Sequence, residues 1–339
     1  MSKLSHSKQR RIRICKLLTR RRTRKHLRRQ RMRDEKRRKW HVDDKARILE
    51  RRLQRNHFKR VAAPEVFSIA NNAEGSLSFF HTLQFYVSKG YPVMLDLQGV
   101  QSITVDTLLY LLAVWDKLDA QNIKYHISGN LPSHSSAASR FKKSGFLRFV
   151  DSRSELSGGD KAEVVQIYAG EKVEPTIAGD ICKFIQHVHG KNKGDTSKIY
   201  EMLVEIMTNT KHHAYGKRDK KPKWYVYAEY IPSKRDILIS ILDTGKGIPA
   251  TLKRRIGEKL FGISDAKIIA SALRGDFRTS TGLTFRGRGL PMIKKSYDDG
   301  VISDLVIVSR KGYLRFDMDE KLELTNELVG TLYIWRVKP

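Results

Sequence analysis

The run Asp236-Ile-Leu-Ile-Ser-Ile-Leu-Asp243 constrains this chain more than any other stretch. An apolar run of this length, bounded by charge, is a buried-strand pattern. It ends on a carboxylate and turns at once through Gly245 and Gly247. Upstream, Trp224-Tyr-Val-Tyr-Ala-Glu-Tyr-Ile231 is a second strand pattern, and Pro232-Ser-Lys-Arg235 between the two predicts an antiparallel hairpin. An aspartate at a strand end can accept from an exocyclic amine, while glycines let backbone approach a flat ring closely.

A helix is predicted just before this hairpin, over roughly 196–213, because Ile199, Leu203, Ile206 and Met207 recur at helical spacing. Glu205, Asn209 and His213 then follow one another at i, i+4 and i+8 as one polar stripe. A carboxylate and an amide one turn apart can divide the work of nucleotide hydrolysis or transfer, the Asn209 oxygen holding Mg²⁺ and Glu205 orienting or deprotonating the attacking group. Taken alone, such a pair more often marks a solvated helix face. Further on, Gly287-Arg288-Gly289 precedes the apolar helix start Leu290-Pro-Met-Ile293, with Pro291 in the first turn. A helix N-terminus preceded by glycines offers free N–H groups to phosphate.

The ordered set of helix box, Asp243-Thr-Gly245-Lys-Gly247-Ile248 turn and late Gly287-Arg-Gly289-Leu290 resembles the boxes of the GHKL ATPase superfamily. The local likeness is strongest to bacterial anti-sigma-factor serine/threonine kinases, whose helix motif also runs into a histidine, an alanine and a glycine, as His213-Ala-Tyr-Gly216 does here. Gly330-Thr331 matches the pair that opens the family's last strand and supports the adenine-reading aspartate. The resemblance covers about 176–339 and implies a Bergerat-type α/β sandwich with a mixed sheet, helices on one face, and a mobile lid between Pro249 and Phe285. By the same resemblance, Asp243 reads adenine with Thr331 assisting, and Gly245, Gly247 and Ile248 line the base. Asn209 and His213 belong to the nucleotide site, with Asn209 ligating Mg²⁺. Gly287, Arg288, Gly289 and the Leu290 amide meet phosphate, and Glu205 activates water or a substrate hydroxyl. The cofactors implied are ATP and Mg²⁺.

Residues 64–150 alternate strand and helix patterns: a helix around Ser76–Ser88, the strand Pro92–Leu97, an apolar helix from Val105, and the strand Lys124–Ser128. That order predicts a small parallel or mixed sheet carrying helices. It resembles the STAS domain of anti-sigma-factor antagonists, in which Asp106-Thr107 occupies the place of the phosphorylated hydroxyl residue; a helix N-cap is the plainer expectation for this pair. Residues 151–175 read as a linker plus the strand Glu163–Tyr168, and three strands, Leu305–Ser309, Gly312–Phe316 and Thr331–Trp335, end the chain. The fold class expected is thus α/β (α+β).

Charge separates the remaining segment. Residues 1–60 hold 26 Lys and Arg against 5 Asp and Glu, a net of +21 of the chain's +30. This basic arm has too little apolar content for a core and is a candidate for sequence-nonspecific binding of nucleic-acid phosphates; its rivals are a solvated arm and docking on an acidic protein. No run approaches membrane-spanning length, so a cytoplasmic protein is expected. Cys15 and Cys182 lie in unlike contexts and indicate neither disulfide nor metal site. His187 and His189 lack a carboxylate at ligand spacing, so no zinc site is expected. The functional expectation is ATP hydrolysis, or phosphate transfer to a protein Ser or Thr, in a regulatory role. The alternative is a non-catalytic ATP-dependent switch. A regulatory protein partner and a homodimer are both compatible with it.

Overall fold

In the computed structural model, residues 58–120, 127–150, 164–213, 223–277 and 289–339 are described. The arm, up to residue 57, lies outside them. The strands are β1 (Lys59–Ala62), β2 (Val66–Phe67), β3 (Val93–Asp96), β4 (Ser102–Ile103), β5 (Ile127–Gly129), β6 (Val164–Gly170), β7 (Trp224–Ile231), β8 (Asp236–Asp243), β9 (Ser303–Arg315) and β10 (Glu320–Val337). The helices are α1 (Ala73–Ser88), α2 (Val105–Ala120), α3 (Ser135–Lys143), α4 (Leu147–Val150), α5 (Pro175–His189), α6 (Ser197–His213), α7 (Ile248–Ile256), α8 (Asp265–Arg274) and α9 (Gly289–Asp298).

Every residue of β8 is buried, as its apolar run requires, and it is the middle strand of a five-stranded sheet ordered β6-β7-β8-β10-β9. Successive side chains of a strand point to opposite faces. Ile237, Ile239 and Ile241 therefore pack with Trp224, Val226, Tyr333 and Trp335 against α5, α6 and α8, while Leu238 and Leu242 pack with Tyr225, Tyr227, Leu332 and Ile334 toward the N-terminal region. All pairings in this sheet are antiparallel, where the sequence resemblance implies a mixed sheet. Short connections can join only antiparallel neighbours. The four-residue turn Pro232–Arg235 and the tight β9–β10 link leave β7–β8 and β9–β10 no other option.

The second face of the sheet is also covered. A three-stranded parallel sheet, β1-β3-β5, carries α1 and α2, and these helices bring Leu77, Phe80, Leu83, Leu108, Tyr110 and Leu112 into one core with Tyr225, Leu242 and Leu332. Several polar links fix the contact, three of them as follows. The Tyr110 hydroxyl accepts from Val329 N at 3.0 Å, Tyr313 donates to the Ala70 carbonyl at 2.7 Å, and Arg140 pairs with the buried Glu229 at 3.0 Å. The architecture is a parallel α/β region followed by a five-stranded antiparallel sheet with helices.

Two strands expected separately, Leu305–Ser309 and Gly312–Phe316, are one strand, β9. Arg310 adopts φ 56° beside a register shift against β10, and across it the inward alternation inverts: Leu305 and Ile307 join the core that holds α8, whereas Tyr313 joins the one shared with the N-terminal region. The break in periodicity is thus a kink within one strand. The last strand likewise begins at Glu320, well before Thr331. Asp106 and Thr107 do not act as simple caps. Both are buried, and their side-chain oxygens accept from the amides of Ala70 and Ile69 at 3.0 Å each, stapling the start of α2 to the loop before α1. No described helix is long and apolar enough to cross a membrane.

Candidate functional site

Where β8 ends, a row of polar residues runs across onto β10 and β9. Asp243 is the register partner of Thr331, and Thr331 of Ser309. Ser309 Oγ is the hub of this row: it accepts from Ile248 N at 2.9 Å, lies 3.0 Å from Thr331 Oγ1, and reaches the Gly330 carbonyl at 3.0 Å. The Asp243 carboxylate accepts from Gly245 N at 2.8 Å and is also hydrogen-bonded by Thr331. Burial nevertheless dominates. It lifts the carboxyl from an ordinary 3.8 to about 6, while the two hydrogen bonds pull the other way.

The glycines serve the protein's own turns. Gly247 has φ 82°, and a β-carbon there would lie 2.9 Å from Ser309 Oγ and 3.0 Å from the Gly330 carbonyl. Gly330, at φ 97°, would overlap the Asp243 carbonyl with any side chain. At Gly245 a β-carbon would sit 2.8 Å from Asp243 Oδ1. The Ile248 amide is engaged by Ser309, and its side chain is buried in the core.

Helix α6 supplies the second half. Its buried side, Met202, Leu203, Ile206 and Met207, packs on the sheet and leaves Glu205 and Asn209 half-buried one turn apart. Glu205 lies directly against the start of α9: a β-carbon on the buried Gly289 would fall 2.6 Å from Glu205 Oε1. Leu290 follows as the second residue of that helix, half-buried. Between the halves stands Tyr333 of β10. Burial first, then the charges of Asp243 and Glu205, hold its phenol well above the usual range and therefore protonated.

Asp243, Thr331, Gly245, Gly247 and Ile248 are thus assembled at one end of the sheet, and Glu205 meets Gly289 beside it. Gly287, Arg288 and the His213 side chain lie outside the described residues, as does the whole stretch 278–288. Ser309 and Tyr333 join the site without having been anticipated. Ser309 closes an apolar strand with a small hydroxyl, and Tyr333 alternates with Thr331 on β10; neither carries a recognisable motif. Among the described residues no group of three or more His, Cys, Asp or Glu could hold a metal ion. His189 Nε2 instead lies 3.1 Å from the Val337 carbonyl. Neither family models nor curated proteins compared with this chain give a match.

Proposed function

We propose that residues 164–339 bind ATP as a Bergerat-type domain of the GHKL superfamily, that residues 59–150 are a STAS-like layer packed on its sheet, and that the chain hydrolyses ATP or passes phosphate to a protein Ser or Thr. The observation that carries this reading is the gathering of Asp243, Thr331 and the Gly245 turn where β8 ends, with the carboxylate of Glu205, from a separate element, set against the first residue of α9. A buried carboxylate that, among the described residues, receives one backbone and one hydroxyl donor has acceptor capacity for one more N–H, which suits an adenine amine. In this reading Asp243 accepts that amine in its ionised form, and Thr331 fixes the carboxyl's orientation. Thr331 is itself held by Ser309.

The donor set also suits magnesium. Mg²⁺ in nucleotide sites takes few protein oxygens and several from phosphate and water, so one amide, Asn209, is enough and a multi-carboxylate cage is not required. When bound, the ion offsets charge on the phosphates. Gly289 and Leu290 present the first amides of the ten-residue helix α9, whose N-terminus favours anions. By the sequence resemblance alone, Gly287 and Arg288 would also meet phosphate. Glu205, beside it, takes the proton of the attacking water or hydroxyl.

Incubation of the full chain with γ-labelled ATP distinguishes the outcomes. Free phosphate supports an ATPase, labelled protein a kinase, and unchanged nucleotide bound by the chain the non-catalytic switch. Glu205→Ala is expected to retain ATP binding and lose turnover. Turnover at the wild-type rate in that variant overturns Glu205's role.

The basic arm, residues 1–60, adds electrostatic attraction for nucleic acid. Loss of binding to unrelated duplexes as salt is raised is the expected result.

A further inference from the structure

Outside the sheet-end site, the most unusual surface of the molecule is a row of aromatic rings at the C-terminal end of α1. Phe85 and Tyr91 leave 50% and 44% of their surface exposed, and half-buried Tyr86 stands between them with ring centroids 5.6 Å from Phe85 and 6.1 Å from Tyr91. Two ammonium groups are set into the row. Lys59 Nζ lies 5.1 Å from the Tyr91 ring and 6.0 Å from Tyr86, and Lys89 Nζ is 5.9 Å from Phe85.

The local backbone holds this row in place. Lys59 N donates to the Pro92 carbonyl at 2.8 Å, Tyr91 N donates to the Tyr86 carbonyl at 3.1 Å, and Gly90, at φ 78°, makes the turn between them. Rings fixed in this way lose little conformational freedom when something flat is laid on them. Lys59 is also the first residue of β1, so the strand fixes the backbone of one of the two cations.

Exposed π faces interleaved with cations are what unstacked bases and their phosphates require. A duplex keeps its bases stacked on one another and offers such rings no face. An acidic protein would satisfy the ammonium groups and leave the rings in water. We propose that Phe85, Tyr86 and Tyr91, with Lys59 and Lys89, form a base-stacking surface for single-stranded nucleic acid. This goes beyond the proposed function and is independent of the nucleotide site.

Fluorescence anisotropy on the full chain tests it, with a labelled oligothymidylate of about 20 nucleotides and a duplex of the same length. The wild type is expected to prefer the single strand. Phe85→Ala/Tyr91→Ala is expected to weaken single-strand binding roughly tenfold to hundredfold while duplex binding holds. Phe85→Leu/Tyr91→Leu keeps apolar bulk without a π face and decides the same comparison if the alanine pair melts early. Unchanged single-strand affinity, or equal losses on both probes, overturns the proposal. Duplex binding that ignores salt overturns the arm's electrostatic role instead, and leaves the single-strand comparison standing.

Discussion

Replacing Asp243 by Asn should stabilise the fold while weakening its proposed ligand. The carboxyl is held at about 6 against an ordinary 3.8 because burial opposes its charge. Ionising it in the folded chain therefore costs about 3 kcal/mol more than in the unfolded chain. The sign follows from linkage. Between these two values the folded state binds more protons than the unfolded state, so wild-type stability falls as pH rises through the window and levels off above it. An asparagine carries no such penalty, and its side-chain oxygen can still accept from Gly245 N. The variant's advantage from this source is about 1 kcal/mol at pH 4.5 and about 3 kcal/mol at pH 7.5. Any fixed cost of the amide shifts both figures alike, so the quantity to measure is the widening of about 2 kcal/mol between them. Urea unfolding of both chains at the two pH values reads it directly. A gap that stays constant, or narrows as pH rises, refutes the claim that Asp243 is ionised against its surroundings.

Other expectations concern the same end of the sheet. Binding an amine donor favours the carboxylate, so ATP affinity should be flat above about pH 6 and fall up to tenfold per pH unit below it, measured by titration with Mg²⁺ at constant ionic strength. A fall beginning only near pH 4 would place the titrating group elsewhere. Gly330→Ala forces a side chain onto the Asp243 carbonyl at φ 97° and should cost more than about 2 kcal/mol in chemical denaturation, with nucleotide binding lost at the same time. A variant as stable as the wild type would show that the two turns do not meet.

Much of this architecture was readable because its strands and helices carry strong periodicity. The β7–β8 hairpin falls where the pattern of Trp224–Leu242 puts it, and α6, at Ser197–His213, lies over the helix expected at 196–213. Short elements were not readable. Lys59-Arg60-Val61-Ala62 reads as the end of a basic arm, yet it is β1, fixed by parallel pairing with β3 that only tertiary structure supplies. Helix α7 carried a usable signal that the glycine turn obscured: Ile248, Leu252 and Ile256 recur every four residues, with Pro249 in the first turn. The site divides along the same line. Asp243 and Glu205 stand in recognisable strings, but Ser309 and Tyr333 reach them through strand register, which no local pattern encodes. Gly247 was readable as a special position although its reason differs: it makes room for Ser309 and Gly330 within the protein itself.

The central claim is that a buried carboxylate at the end of β8 reads an adenine nucleotide. Isothermal titration of ATP with Mg²⁺ into the wild type and Asp243→Asn at pH 7.5 tests it most directly. Saturable binding by the wild type, weakened roughly tenfold to hundredfold in the variant by loss of a charge-assisted hydrogen bond, is the predicted result. Equal affinity in both chains, or no binding by the wild type, contradicts it.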